Sequence, residues 1–175
     1  TQPRAHTSSP PRHRRAGDMR GKEGGARDAA PGATYLGRGH DGYGGITVGI
    51  IGWGRVGARL SDLLQPWRVR ILAYDPYVED SKFIHHNAER AELDRLLAEA
   101  DVVTLHCELN DETRRIIAAP ELERMQSSAI FINAARGGLV DQDALVHALD
   151  TGAIAAAAIA VYESEPPPKP SPLLG

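Results

Sequence analysis

Residues 46–57 read Ile-Thr-Val-Gly-Ile-Ile-Gly-Trp-Gly-Arg-Val-Gly, a short β-branched apolar run that ends in three spaced glycines. A run that is apolar on both faces suits a strand inside a parallel sheet, where helices cover it above and below. Past the glycines, Arg55 to Leu64 reads as a helix. Val56, Leu60, Leu63 and Leu64 lie on one side, and Pro66 serves as the stop. A strand, a glycine turn and a helix in immediate succession form the first half of a βαβ unit, and few folds accommodate it.

The rest of the chain repeats the rhythm. Val69 to Tyr74 is a second strand ending at Asp75-Pro76, and Ala88 to Ala100 an amphipathic helix with Leu93, Leu96 and Leu97 inward. Asp101 to His106 and Ala129 to Asn133 are strands, with short helical turns expected at Asp111 to Ile117 and Pro120 to Met125. Asp141 caps a helix running to about Leu149, and Gly152 suits its C-terminal end. Alanine-rich Ile154 to Val161 is compatible with helix or strand, and its place after a helix stop favours strand. Strand–helix alternation implies an α/β, doubly wound parallel sheet with right-handed crossovers and ligands at the carboxyl ends of its strands.

Gly52-Trp-Gly54-Arg-Val-Gly57 matches G-x-G-x-x-G, a pattern that is weak alone. Here a strand precedes it, a helix opens from it, and the next strand ends in an acid. Gly52 permits the tight turn, Gly54 lets a pyrophosphate approach bare backbone, and Gly57 lets helix and strand pack closely. The helix N-terminus offers N–H groups and a positive dipole, and Arg55 adds a cation. Asp75, 18 residues after Gly57, suits a ribose diol and repels a 2′-phosphate, which favours NAD over NADP. The bland alternative is a set of turn glycines followed by an Asp-Pro turn.

Composition divides the chain. Residues 1–45 hold Met19 and Leu36 as their only Val, Ile, Leu, Met or Phe, with ten of the 18 glycines and a cluster of arginines. Such a segment buries too little apolar area to offset its ordering entropy and is expected to be disordered. A basic arm for nucleic acid or an acidic surface is the alternative, unsupported by any aromatic or amphipathic pattern. Of 20 Lys and Arg and 23 Asp and Glu, 8 and 4 lie in those residues, leaving 46–175 at a formal −7. An acidic domain is a poor general polyanion binder, so no nucleic-acid partner is expected. No apolar run is long enough for a membrane span. One cysteine, Cys107, excludes an internal disulfide and fits a cytoplasmic setting. No metal is expected. The domain is expected over 46–165, with a proline-rich tail over 166–175. The chain does not begin with Met and reads as a fragment.

Thr47 to Gly57, Ala73-Tyr-Asp-Pro-Tyr77, Asp101 to Cys107, Glu112-Thr113, Asn133-Ala-Ala-Arg-Gly-Gly-Leu-Val-Asp141 and Val161-Tyr-Glu-Ser-Glu-Pro166 occur in one order and spacing. In these blocks, from about Gly45 to Pro167, the chain resembles the NAD-binding Rossmann domain of the D-isomer-specific 2-hydroxyacid dehydrogenases. That family includes phosphoglycerate dehydrogenase and the glyoxylate/hydroxypyruvate reductases. The resemblance implies NAD as cofactor and a small 2-hydroxy or 2-keto acid as substrate. It gives Arg136 the role of holding the substrate carboxylate and Glu165 that of partnering a catalytic histidine. Arg55, Val56 and Asp75 match cofactor-binding positions, Cys107 a position lining the adenosine pocket, and Ala134, Ala135 and Ala160 positions on the nicotinamide side. His106 reads as structural or pocket-lining. Family members commonly pair through this domain, so a homodimer is plausible.

The sequence also departs from the family pattern. Residues 1–45 resemble none of the family's substrate domain. The histidine that follows Glu165 in the family has no match here, Ala160 stands where the family has an aspartate, and Glu108 where it usually has a proline. The expectation is an NAD-binding domain weakly active or inactive alone. A non-catalytic NAD-binding or dimerisation module is the alternative.

Overall fold

The computed structural model describes residues 45–164. The segment expected to be disordered lies outside these residues apart from Gly45, as do the tail expected over 166–175 and Glu165. Six strands form one parallel sheet: β1 (Thr47–Ile51), β2 (Arg70–Tyr74), β3 (Glu89–Arg90), β4 (Val102–Leu105), β5 (Ile130–Asn133) and β6 (Ala156–Ile159). Their order is β3-β2-β1-β4-β5-β6, with Val48 beside Ile71 on one side and Val102 on the other. The helices are α1 (Arg55–Leu64), α2 (Asp80–His85), α3 (Leu93–Glu99), α4 (Ala119–Arg124) and α5 (Gln142–Thr151). This is the doubly wound sheet expected from the alternation, and its order reverses at β1 and β4.

Both faces of the central strands are buried, as their unbroken apolar runs require. Ile51, Leu72, Val103, Leu105 and Phe131 point to one side and pack with Leu96, Leu97, Leu122 and Leu145 from α3, α4 and α5. Val48, Ile50, Ile71 and Ala73 point to the other, against Trp53 and Phe83. The alanine-rich segment is β6, paired with β5, and only alternate residues are partly covered: Ala157 and Ile159 pack, whereas Ala156 and Ala158 are exposed. Asp141 caps α5, its Oδ1 accepting from the Ala144 N–H at 3.1 Å, and Gly152 ends the helix with φ 71°.

Three local expectations are corrected. The helix expected over Ala88 to Ala100 begins only at Leu93. Glu89 and Arg90 are extended and pair with Leu72 and Ala73 as β3. The edge of β2 captures this stretch, the Ala91 N–H donating to the Ala73 carbonyl at 2.9 Å, a tertiary pairing that local propensity does not contain. The turns expected over Asp111 to Ile117 form, but they end at Arg115, and Ile117 instead bridges to Val140. On α1 the buried residues are Gly57 and Ser61, while Val56 and Leu63 are 62% and 58% exposed. Close approach to β1 turns the small side chains inward, with Leu60 and Leu64 flanking them.

Helix α2, which has no clear signal in the sequence, is fastened to α1. The buried Ser61 hydroxyl and the Gln65 amide both donate to the His86 carbonyl, at 2.8 and 3.2 Å, and His86 Nδ1 meets Asp62 Oδ1 at 2.7 Å. The hydrogen bond to His86 holds the Asp62 carboxyl below its ordinary 3.8, against a smaller opposing effect of desolvation. A depressed folded-state pKa gives stability that is present above 3.8 and lost as pH falls through the lower folded value. Asp62→Asn is therefore expected to lower the melting temperature at pH 7 and to shrink its loss between pH 7 and about pH 3. Thermal melts by circular dichroism at the two pH values check this, and an unchanged pH dependence would contradict it.

Candidate functional site

The carboxyl ends of β1, β2, β4 and β5 surround a cleft of about 1270 Å³. Its floor is the glycine turn. Gly52 has φ 97°, and a Cβ there would lie 2.4 Å from the Cys107 nitrogen, so turn and β4 loop touch backbone to backbone. The Gly52 N–H donates to the Tyr74 carbonyl and the His106 N–H to that of Ile51, at 2.8 and 2.7 Å. At Gly57 a Cβ would sit 2.2 Å from the Gly52 carbonyl oxygen. At Gly54 it would meet nothing within 4 Å. The missing side chain there leaves open space at the mouth of α1. The first turn of a helix carries N–H groups without intrahelical acceptors, and no side chain caps α1. Backbone donors and the dipole's positive end therefore face the cleft at a point where the chain is bare.

Asp75, at the end of β2, is half-buried beside this turn. Its Oδ2 accepts from the Trp53 N–H at 2.9 Å and its Oδ1 from the Tyr77 N–H at 3.0 Å. A carboxylate has about four acceptor sites, so the two bonds orient the group and leave lone pairs for a ligand. Trp53 is itself buried, stacked on Phe83 with ring centroids 5.1 Å apart, its indole N–H on the Lys82 carbonyl at 3.3 Å. Helix α2 thus steadies the residue that steadies Asp75.

On the β4 side, His106 and Cys107 are half-buried in the cleft wall. Burial lowers the His106 pKa, so its ring is neutral at pH 7, and Nε2 lies 3.1 Å from the Thr104 hydroxyl. Burial, and secondarily the Asp75 charge, push the Cys107 thiol up. At the end of β5 the buried Asn133 shapes the loop that carries Arg136. Its Nδ2 donates to the Arg136 carbonyl at 2.9 Å and its Oδ1 accepts from the Ala135 N–H at 3.1 Å. The Arg136 guanidinium is exposed, with Nη1 on the Ala135 carbonyl at 2.7 Å. Gly137 lies so close to the Tyr162 carbonyl group that a Cβ would be 2.0 Å from its carbon. That contact draws the segment after β6 against the arginine loop.

Of the residues singled out from the sequence, Gly52, Gly54, Arg55, Val56, Asp75, Cys107, Ala134, Ala135 and Arg136 all line this cleft. Gly57 lies behind the turn. Ala160 does not join them: it extends β6, its N–H on the Asn133 carbonyl at 3.0 Å. Glu165 is outside the described residues. Sequence reasoning missed Trp53, Tyr77, Glu112 and Asn133. Only Asn133 carried a signal, as a polar residue ending an apolar strand. Among the described residues no helix is long and apolar enough to cross a membrane, and no group of three His, Cys, Asp or Glu is placed to hold a metal ion.

A parallel sheet of this order, with a glycine turn feeding an uncapped helix at the reversal point and an acid ending the next strand, defines a Rossmann-type dinucleotide-binding domain. Residues 25–175 match the family described as D-isomer specific 2-hydroxyacid dehydrogenase, NAD binding domain, and the chain belongs to that family. The match begins upstream of Gly45, where the recognisable motifs start.

Among its relatives, the D-3-phosphoglycerate dehydrogenase of Archaeoglobus fulgidus is 42% identical over 130 residues, covering 74% of this chain and 25% of that protein. The glyoxylate/hydroxypyruvate reductase B of Enterobacter sp. is 43% identical over 136 residues, covering 74% and 40%. Among solved structures, a glyoxylate reductase from Paecilomyes thermophila superposes with a TM-score of 0.69 at 36% identity, covering 78% of this chain and 41% of that one. The NAD-complexed D-isomer specific 2-hydroxyacid dehydrogenase of Lactobacillus delbrueckii ssp. bulgaricus gives 0.65 at 35%, covering 69% and 36%. The chain thus spans between a quarter and about two fifths of these relatives' lengths.

Proposed function

We propose that this chain binds NAD in the cleft and serves a dehydrogenase that interconverts a small 2-hydroxy acid and its 2-keto acid. The observation that carries the proposal is the pairing of a bare, uncapped helix mouth at Gly54 with a pre-oriented carboxylate at Asp75. The first suits a pyrophosphate and the second a ribose diol. When bound, the nicotinamide supplies or accepts the hydride. The α1 N–H groups and Arg55 hold the phosphates, Asp75 accepts from the ribose hydroxyls, and Cys107 contributes to the apolar adenosine wall. Ala134 and Ala135 flank the nicotinamide side. Arg136 binds the substrate carboxylate, for which a planar guanidinium fork is suited. Its exposure, and the use of a single Nη1 donor on the Ala135 carbonyl, leave the other guanidinium N–H groups for that group. Glu165, two residues past Glu163, is assigned the partnering of a catalytic histidine by family likeness alone.

Calorimetric titration with NAD and NADP tests the proposal. NAD is expected to bind at least about tenfold tighter, because the Asp75 carboxylate would oppose a 2′-phosphate. Equal affinities, a preference for NADP, or no binding would defeat it. Reduction of pyruvate, glyoxylate and hydroxypyruvate by this chain is expected to be slower by on the order of a hundredfold or more than by a full-length relative, because no histidine of this sequence matches the family's catalytic one. Initial rates of NADH oxidation check this, and rates matching a full-length relative would refute it.

A further inference from the structure

The sheet order sets β1 between β2 and β4, so a link from the loop after β2 to the loop after β4 must pass over the glycine turn. Among the described residues one side-chain hydrogen bond does so: the Tyr77 hydroxyl donates to Glu112 Oε2. Both residues line the cleft, and the Tyr77 ring stands clear of the surface, 77% exposed. Each anchor is built into its wall. The Tyr77 N–H is held by Asp75 Oδ1 at 3.0 Å. On the opposite wall Asn110 Oδ1 accepts from the Glu112 and Thr113 N–H groups at 2.9 and 3.0 Å, fixing the turn that presents Glu112. The hydrogen bond to the Glu112 carboxylate also raises the Tyr77 phenol pKa above its ordinary value.

We infer that Tyr77 and Glu112 form a strap across the adenosine end of the cleft that gates entry and release of the cofactor. The inference rests on the NAD reading above. A nucleotide held by the glycine turn would lie between the two walls that this bond joins, so exchange in either direction would require the bond to open. The bond is formed in the structure. Opening it therefore slows binding and release together, which separates a gate from an ordinary contact that changes affinity.

Stopped-flow measurement of NADH fluorescence with the whole chain tests this. Tyr77→Phe and Glu112→Ala are each expected to speed both association and release about fivefold, the population effect of one exposed charge-assisted hydrogen bond, with Kd changed less than about twofold. Because both variants remove the same bond, the double variant is expected to match either single one. Unchanged rates, a change in affinity alone, or effects that multiply in the double variant would overturn the strap and leave the cofactor reading standing. A chain that binds no NADH overturns both. Spectrophotometric titration of the phenols checks the bond without cofactor: Glu112→Gln is expected to bring one phenol's titration to lower pH, and an unaltered titration would also overturn the strap.

Discussion

Gly57→Ala is expected to lower the melting temperature by roughly 10 °C and to abolish ordered cofactor binding. The new methyl carbon would sit 2.2 Å from the Gly52 carbonyl oxygen and 3.2 Å from Ile50 Cγ2. The first neighbour is backbone, fixed by the Gly52 bond to Tyr74 and the Ile51 bond to His106, so it cannot swing away as a side-chain tip would. Relief requires α1 to move off β1, at a cost of about 3 kcal/mol or more. Gly54→Ala is the informative contrast. It has φ −81° and open space where its Cβ would stand. The fold should lose about 1 kcal/mol or less, the difference between glycine and alanine at a helix N-cap. NAD affinity should nevertheless fall about tenfold or more, because the methyl group occupies the approach to the helix mouth. Differential scanning calorimetry and NAD titration on the two variants separate these effects. A Gly57→Ala protein that melts like its parent, or a Gly54→Ala protein that keeps full affinity, would show that the turn does not have these two jobs.

Asp75→Ala is expected to weaken NAD binding about tenfold to a hundredfold and to bring the affinities for NAD and NADP close together. The loss on the NAD side is that of charge-assisted hydrogen bonds to hydroxyls, about 1.5–3 kcal/mol. On the NADP side little is lost, because the carboxylate opposes the 2′-phosphate rather than holding it. The substitution also strips acceptors from the Trp53 and Tyr77 N–H groups, so a modest fall in stability of about 1 kcal/mol should accompany it. Paired titrations with the two dinucleotides decide the matter. A variant that retains its parent's NAD to NADP ratio would remove Asp75 from cofactor selection.

The central fold was legible because its signals are local. β1, β2, β4 and β5 are apolar runs bounded by turn residues, and the burial of the central strands β1, β2 and β4 on both faces follows from that pattern. The cap at Asp141 and the glycine end of α5 were legible for the same reason. The two-residue strand β3 was not. Glu89 and Arg90 lie in a stretch with helical spacing, and only the open edge of β2, whose paired residues lie seventeen positions back in the chain, makes them extended. The inward face of α1 was hidden in another way. Hydrophobicity points to Val56 and Leu63, but the need to approach β1 closely selects Gly57 and Ser61.

The candidate site divides along the same line. The glycine turn and Asp75 were singled out by residue type and spacing, and Cys107 and the Ala134 to Arg136 loop by the family resemblance. Their meeting in one cleft depends on the parallel sheet bringing the ends of β1, β2, β4 and β5 together. Trp53, Asn133, Tyr77 and Glu112 stand inside the motif blocks, but their parts in the site were not legible, because what such side chains do depends on partners that only the fold supplies. The sequence by itself determined the class of fold, the family, and which backbone positions must lack a side chain, since these rest on spacing and steric size along a few neighbouring residues. The tertiary structure alone decided which strand takes the edge, which way α1 faces, what holds Asp75 in place and what spans the mouth of the cleft. Each of those depends on contacts between residues distant in the chain, and no local pattern encodes such distances.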